Sequence, residues 1–360
     1  MDIQSAFLQG EELTREIYLR PPAEANTRNL WLLKKPVYGL KMASRKWYER
    51  VCKELLNMDV TKSRYDPALF YWHHDGEIQG VLAGHVDDFF WAGSEKFRRK
   101  VIGKICETFK ISASLKYNFP FLGLQLTQSS DGITVDQFAY MNDLKYMVLD
   151  DMDDKTRLLN SEETAQLQTV IGQLSWLANQ TRPDIAFDVC QLSAWKKKAT
   201  VKQVIHANKT IKKIKSSDVF LKYPNIKDIE NAKILVYSDA SFNNLPNGGS
   251  QGAHMILISD SDQQCAPIHW QSKKIKRVVK STLAAECLAL QNAVDHAFYL
   301  KNVVSDMLGV DMEIHCRTDN QSVVDSVYSS TNVKEDKRLV LDVCSLKEML
   351  ERKEVDLLGQ

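Results

Sequence analysis

The chain has 360 residues, of which 44% are hydrophobic and 26% charged, with 47 basic against 46 acidic side chains and a net charge of +1. That is ordinary globular composition, with length for two or three domains, and any nucleic-acid partner must show itself through local clustering rather than bulk charge. Seven scattered cysteines without a C-x-x-C pair support neither a zinc site nor a disulfide framework, and no apolar run reaches membrane-spanning length.

Residues 1–128 alternate strand-like pieces ("IYLRPP", "LWLLKKPVYGL", "ALFYW", "GVLAGHV") with helical ones. In "ASRKWYERVCKELLN", Trp47, Val51 and Leu55 fall at helical spacing. Phe97, Val101, Ile105 and Phe109 do the same in "EKFRRKVIGKICETF". "FPFLGLQLTQSSDGITVDQ" reads as a hairpin turning at Ser129–Gly132. This interleaving predicts an α+β sheet covered on one face.

Residues 129–228 read as mostly helical. Eight lysines and no acid lie between Lys196 and Lys215, on a segment that turns Val201, Val204 or Ile205, Ile211 and Ile214 inward. Such a row is either the solvated face of an amphipathic helix or a phosphate-tracking patch. Residues 229–360 give strand, strand, strand, long helix, strand and helix, the order of a compact α/β domain. The long helix, "STLAAECLALQNAVDHAFYLKNVVSDML", carries a buried stripe of Leu283, Cys287, Leu290, Val294 and Ala297.

Carboxylates stand where structure alone has little use for them. Asp87 and Asp88 sit side by side inside "VLAGHVDDFFWAG", a position that serves either a wet hairpin tip or a divalent cation. Asp239 closes one predicted strand, Asp319 closes another, and Glu286 lies in the first turns of the helix between them. Singly, each is a surface acid or a cap. Together they could meet at one sheet edge, where converging like charges call for Mg²⁺. Asp2 would complete a second cluster with Asp87 and Asp88 if their elements are neighbours. Phe7 is then either a core aromatic or a plate beside a nucleotide sugar.

"MDIQSAFLQG", "VYGLKMASRKWY" and "HVDDFFWAG", in that order, resemble the reverse transcriptase of copia-type retrotransposons. "FPFLGLQL" is similar to that family's primer-gripping hairpin, and "QTRPDIAFDVCQLS" to its thumb signature. "YSDAS", "STLAAECLAL" and "RTDNQS" resemble the RNase H domain that follows in the same Pol polyprotein. The resemblance implies a reverse transcriptase palm with most of its fingers outside the chain (1–128), a helical thumb or connection (129–228) and an RNase H-like domain incomplete at its C-terminus (229–360).

It further implies RNA-directed DNA polymerase and RNase H activities through two Mg²⁺ ions per site, with Mn²⁺ as a substitute. Asp2, Asp87 and Asp88 match the polymerase carboxylates, with Asp2 and Asp87 as metal ligands. Asp239, Glu286 and Asp319 match three of four RNase H ligands. Phe7 matches the residue that excludes ribonucleotides, and Met42 occupies the nucleotide pocket where the family usually has Gln. The implied partners are an RNA template, a DNA primer, RNA–DNA hybrid, dNTPs and the rest of the polyprotein, with no membrane. The implied location is a cytoplasmic virus-like particle or the nucleus, without secretion. A catalytically silent relic or domesticated fragment that at most binds nucleic acid is the alternative.

Overall fold

The computed structural model describes residues 1–195, 199–245, 248–329 and 337–359. These fall into two compact units, Met1–Lys116 with Asn302–Gly309, and Tyr117–Lys301 with Val310–Gln360.

In the first unit the strands are β1 (Asp2–Ile3), β2 (Tyr18–Leu19), β3 (Trp31–Leu32), β4 (Thr61–Lys62), β5 (Leu69–His74), β6 (Glu77–His85), β7 (Asp88–Gly93) and β8 (Ile111–Ala113). Strands β2 and β3 pair by themselves, and the other six form one antiparallel sheet in the order β4-β5-β6-β7-β1-β8. Helix α1 (Ala43–Leu56) buries Ala43, Trp47, Val51 and Leu55, the stripe its periodicity predicts. The second predicted helix is interrupted: α2 (Glu95–Phe97) and α3 (Gly103–Thr108) flank a π-helical stretch, Arg98–Ile102. Apolar residues repeated strictly every fourth position drift around an α-helix, and the wider turn lets Phe97, Val101, Ile102 and Ile105 all face the core. Phe97 packs over Gly80 and Gly93 of the sheet. A Cβ at Gly80 would stand 2.2 Å from its ring, so no larger residue fits there without displacing it.

The second unit opens with β9 (Asn118–Phe121), β10 (Leu124–Ser129) and β11 (Gly132–Asp136). The predicted Ser129–Gly132 turn is in place, and Ser129 pairs with Gly132 across it. Helices α4 (Phe138–Asp143), α5 (Ser161–Gln180), α6 (Ala186–Ala194) and α7 (Val201–Lys215) follow. They share a core that includes Leu167, Leu174, Leu177, Ile185, Val204, Ile211 and Ile214. Asn160 and Glu163 form a capping box at the start of α5. Arg182, from the segment similar to a thumb signature, is fully buried. Its guanidinium donates to both oxygens of Asp184 at 2.8 and 2.9 Å and to the Ile214 carbonyl at 3.2 Å, tying the α5–α6 corner to the end of α7. Strand β12 (Leu221–Pro224) then completes a four-stranded sheet, β12-β11-β10-β9.

The last sheet is made of β13 (Lys233–Leu245), β14 (Gly249–Ser259), β15 (Cys265–Lys274), β16 (Glu313–Thr318) and β17 (Val355–Gly359), in the order β15-β14-β13-β16-β17. The first three are antiparallel, whereas β16 and β17 run parallel to β13 and to each other. A parallel neighbour requires a crossover, which α8 (Thr282–Leu308) supplies between β15 and β16. Cys287, Leu290, Val294 and Ala297 of its predicted stripe are buried, and Leu283 is half-buried. Helices α9 (Gln321–Tyr328) and α10 (Lys337–Glu351) follow β16. The chain is thus mixed α+β and α/β. No helix among the described residues is long and apolar enough to cross a membrane.

Candidate active sites

The predicted carboxylates lie in two places, one in each unit, and of these two sets only Asp239, Glu286 and Asp319 bring ligand oxygens within 4.8 Å of one another; Asp2, Asp87 and Asp88 are sequence and strand neighbours without reaching that spacing as a trio. In the first, Asp2 of β1 lies opposite Asp88 of β7. The flanking bonds run from the Ile3 amide to the Asp87 carbonyl (2.8 Å) and from the Phe89 amide to the Met1 carbonyl (2.7 Å). Asp2 and Asp88 are therefore a non-hydrogen-bonded pair, the kind whose side chains approach most closely. Asp87 follows Val86 in the two-residue turn joining β6 to β7. Burial, and then the charges of Asp2 and Asp87, hold the Asp88 carboxyl above its usual range. Ser112, on the other flank of β1, donates its hydroxyl to Asp2.

The turn itself is strained. Val86 has φ 56°, a left-handed conformation unfavourable for a β-branched residue, and the Trp47 indole N–H donates to its carbonyl. Phe7 lies on the 3₁₀ turn Ala6–Gln9, half-buried, its ring centroid 4.5 Å from that of Tyr38. That turn packs against α1, whose first residue follows Met42.

The second group is tighter. Asp239, Glu286 and Asp319 each place one carboxylate oxygen within 4.8 Å of the others. Asp239 does not close its strand, contrary to the sequence reading, because β13 continues to Leu245 in its pairing with β14. What ends at this level is the parallel ladder: its last pair is Tyr237 with Arg317, and Asp319 directly follows β16. Both aspartates thus stand exposed where β13 and β16 part. Glu286, on the fifth residue of α8, is buried beneath them.

Burial and the two aspartates push the Glu286 carboxyl up to about 7, against a weaker pull from the Ala240 amide and the Asn320 side chain. Its Oε2 is buried without a hydrogen-bond partner. An orphaned carboxylate oxygen facing two more carboxylates is an all-oxygen donor set, which fits a hard cation of the Mg²⁺ or Mn²⁺ type. Beside it opens a cleft of about 450 Å³, lined by Phe187, Tyr237, Asp239, Trp270, Arg317 and Asp319 among others. The Arg317 Nε, too, is buried without a partner.

Sequence reasoning placed Trp47 on the inner stripe of a helix and Arg317 and Asn320 inside "RTDNQS" without giving any of them a role at a site, and it passed over Ser112. It also passed over a group of three histidines, His254, His269 and His296, which the fold brings together. Of the lysine row, Lys196–Lys198 lie outside the described residues, whereas Lys202, Lys209, Lys212, Lys213 and Lys215 lie exposed on α7. Lys213 reaches the Asp184 carbonyl at 2.7 Å, and Lys215 the Asn142 carbonyl at 3.0 Å.

Residues 1–156 match the family described as reverse transcriptase (RNA-dependent DNA polymerase). The chain is 28% identical over 307 residues to a putative transposon Ty5-1 protein of Saccharomyces cerevisiae, covering 78% of this chain and 94% of that one. It is 24% identical over 329 residues to the retrovirus-related Pol polyprotein from transposon RE1 of Arabidopsis thaliana, covering 85% of this chain but 22% of the polyprotein. Among solved structures, a foamy viral protease-reverse transcriptase in complex with RNA/DNA hybrid shares the fold over 100% of this chain and 43% of its own, with TM-score 0.56 and 12% identity.

Proposed function

We propose, for a chain that belongs to the copia-type retrotransposon Pol family, that its second unit hydrolyses the RNA strand of an RNA–DNA hybrid. Its first unit, on the same reading, presents the carboxylates of RNA-directed DNA synthesis. The observation that carries this is the convergence of Asp239, Glu286 and Asp319 within 4.8 Å, with a buried, unpartnered Glu286 oxygen at its centre.

Asp239, Glu286 and Asp319 would hold Mg²⁺ in the second unit, and Asp2 and Asp87 in the first, with Asp88 beside them. When bound, Mg²⁺ supplies Lewis-acid stabilisation of charge developing on a phosphate and a nucleophilic water. The chain's own residues set the stage for that chemistry. Exposed Asp239 and Asp319 leave one side of the site open to a phosphodiester, and buried Glu286 fixes its floor. Arg317, in the adjoining cleft, sets a guanidinium along the phosphate path, and Phe187 and Trp270 offer apolar surface to the hybrid.

In the first unit, the Phe7 ring, braced by Tyr38, would fill the space of a ribose 2′-hydroxyl and so select dNTPs. The template, the primer and the remainder of the polyprotein complete the partner set, in a cytoplasmic particle or the nucleus. Met42 favours a second reading for this unit. A thioether replaces the amide usual at that position and offers the nucleotide only a weak acceptor, so the first unit binds nucleic acid better than it polymerises.

The test is cleavage of end-labelled RNA in a hybrid by the full chain in Mg²⁺. Asp239→Asn should reduce the rate by about 10³-fold. Equal rates in the two proteins would refute the reading.

A further inference from the structure

His254 projects from β14, His269 from β15 and His296 from α8. One ring nitrogen from each lies within 4.8 Å of the others, and the ring centroids are 4.7–5.2 Å apart. His254 is buried, at 7% exposure; the other two are half-buried. The Nε2 atoms of His254 and His269 are buried without hydrogen-bond partners. Three imidazoles gathered from three elements, two with orphaned nitrogens, are an unfavourable arrangement unless something accepts their lone pairs.

We propose that His254, His269 and His296 form a binding site for a borderline divalent metal, Zn²⁺ first among them, that clamps β14 and β15 to α8. The donor type decides the class of ion. Neutral imidazole suits Zn²⁺, whereas Mg²⁺ demands oxygen and is served by the carboxylates. Position separates the two sites as well. His296 lies ten residues beyond Glu286 on α8, about 15 Å along the helix, so the histidines cannot share an ion with the acid group. Tetrahedral Zn–N bonds of about 2.0–2.1 Å require nitrogens roughly 3.3 Å apart, which small side-chain rotations of the half-buried His269 and His296 can reach. Three protein ligands leave a fourth position for water.

Burial holds all three rings below their ordinary titration range, His254 at about 3, helped by neighbouring histidines at His254 and His269 and by Lys273 at each, so they present lone pairs at neutral pH. Lys273 opposes a cation here, but its side chain is exposed and can swing into solvent.

The experiment titrates the full chain, stripped of metal and held in excess Mg²⁺, with Zn²⁺ in a calorimeter. A matched sample is titrated with Co²⁺ in a spectrophotometer. Wild type should take up one Zn²⁺ with a Kd of about 1 μM or tighter, and Co²⁺ should give visible bands of four-coordinate nitrogen ligation without thiolate charge-transfer bands. His296→Asn, at the least buried ring, should weaken Zn²⁺ binding by more than about tenfold, while Asp239→Asn leaves it unchanged. Should His296→Asn misfold by circular dichroism, His269→Gln takes its place and the wild-type cobalt spectrum still decides. Absence of Zn²⁺ uptake by wild type, undiminished affinity in a folded histidine variant, or a thiolate spectrum would overturn the proposal, whatever becomes of hybrid cleavage.

Discussion

Asp2 stands opposite Asp88 across β1 and β7, with Asp87 in the turn that leads into β7. Two carboxylates in a close cross-strand pair repel, and the sheet tolerates them only because other contacts hold the strands together. In the second unit the same opposition is sharper, since Glu286 is buried against two aspartates. Clusters of like charge cost stability, and the cost can be measured.

Glu286→Gln should stabilise the metal-free protein. The carboxyl's folded value, about 7, lies above its ordinary 4.5, so the native state holds the extra proton between those limits. Its stabilising contribution is complete below pH 4.5 and is lost as pH rises towards 7. Urea unfolding should therefore show the variant ahead of wild type at pH 8 by on the order of 1–2 kcal/mol, and level with it at pH 4. A variant weaker at both pH values would contradict the repulsion argument.

Val86→Gly should relieve the left-handed strain of the Asp87 turn and raise the thermal midpoint, by about 1 kcal/mol of stability. Trp47→Phe removes the indole N–H that holds the Val86 carbonyl and should lower it by about 1 kcal/mol or more. Differential scanning calorimetry of the two variants checks both signs, and a destabilised glycine variant would show the turn to be unstrained.

Acid should unfold the histidine region early. The folded value of His254 is about 3 against 6.5, so the unfolded state binds the extra proton in that window. Stability is complete above pH 6.5 and falls as pH drops towards 3. His269, His296 and Lys273 reinforce the shift, whereas Asp295 opposes it at His296. In chelator, the urea midpoint of wild type should drop between pH 7.5 and pH 5, and that of His254→Gln should drop less. Equal drops would remove His254 from the account.

Lys202, Lys209 and Lys212 test the lysine row. If they follow phosphates, replacing all three with Ala should flatten the slope of log affinity for hybrid against log salt, by up to about 0.9 for each phosphate no longer neutralised. Fluorescence anisotropy at several salt concentrations measures it. An unchanged slope makes the row a solvated helix face.

The helices were legible because each writes its own periodicity: Trp47, Val51 and Leu55 in α1, and Cys287, Leu290, Val294 and Ala297 in α8, are buried as their spacing predicts. The convergence of Asp239, Glu286 and Asp319 was expected from two strand ends under a helix, and it occurs where the β13–β16 ladder ends beside the first turns of α8. The length of β13 was not legible. Asp239 sits mid-strand, where only a neighbour's ladder ends, and a strand's own sequence does not state how far its neighbours extend. The histidines were invisible for the same reason: 15 and 27 residues separate them, and only the β14–β15 register and the path of α8 bring them together.

The central claim is that carboxylates distant in sequence gather to bind hard divalent ions, and Mn²⁺ uptake followed by loss of the free-ion paramagnetic resonance signal tests it most directly. Wild type should sequester Mn²⁺, and Asp239→Asn, Glu286→Gln and Asp319→Asn should each remove the same portion of that capacity, leaving the portion that Asp2→Asn removes. Identical Mn²⁺ uptake by wild type and all four variants would contradict it.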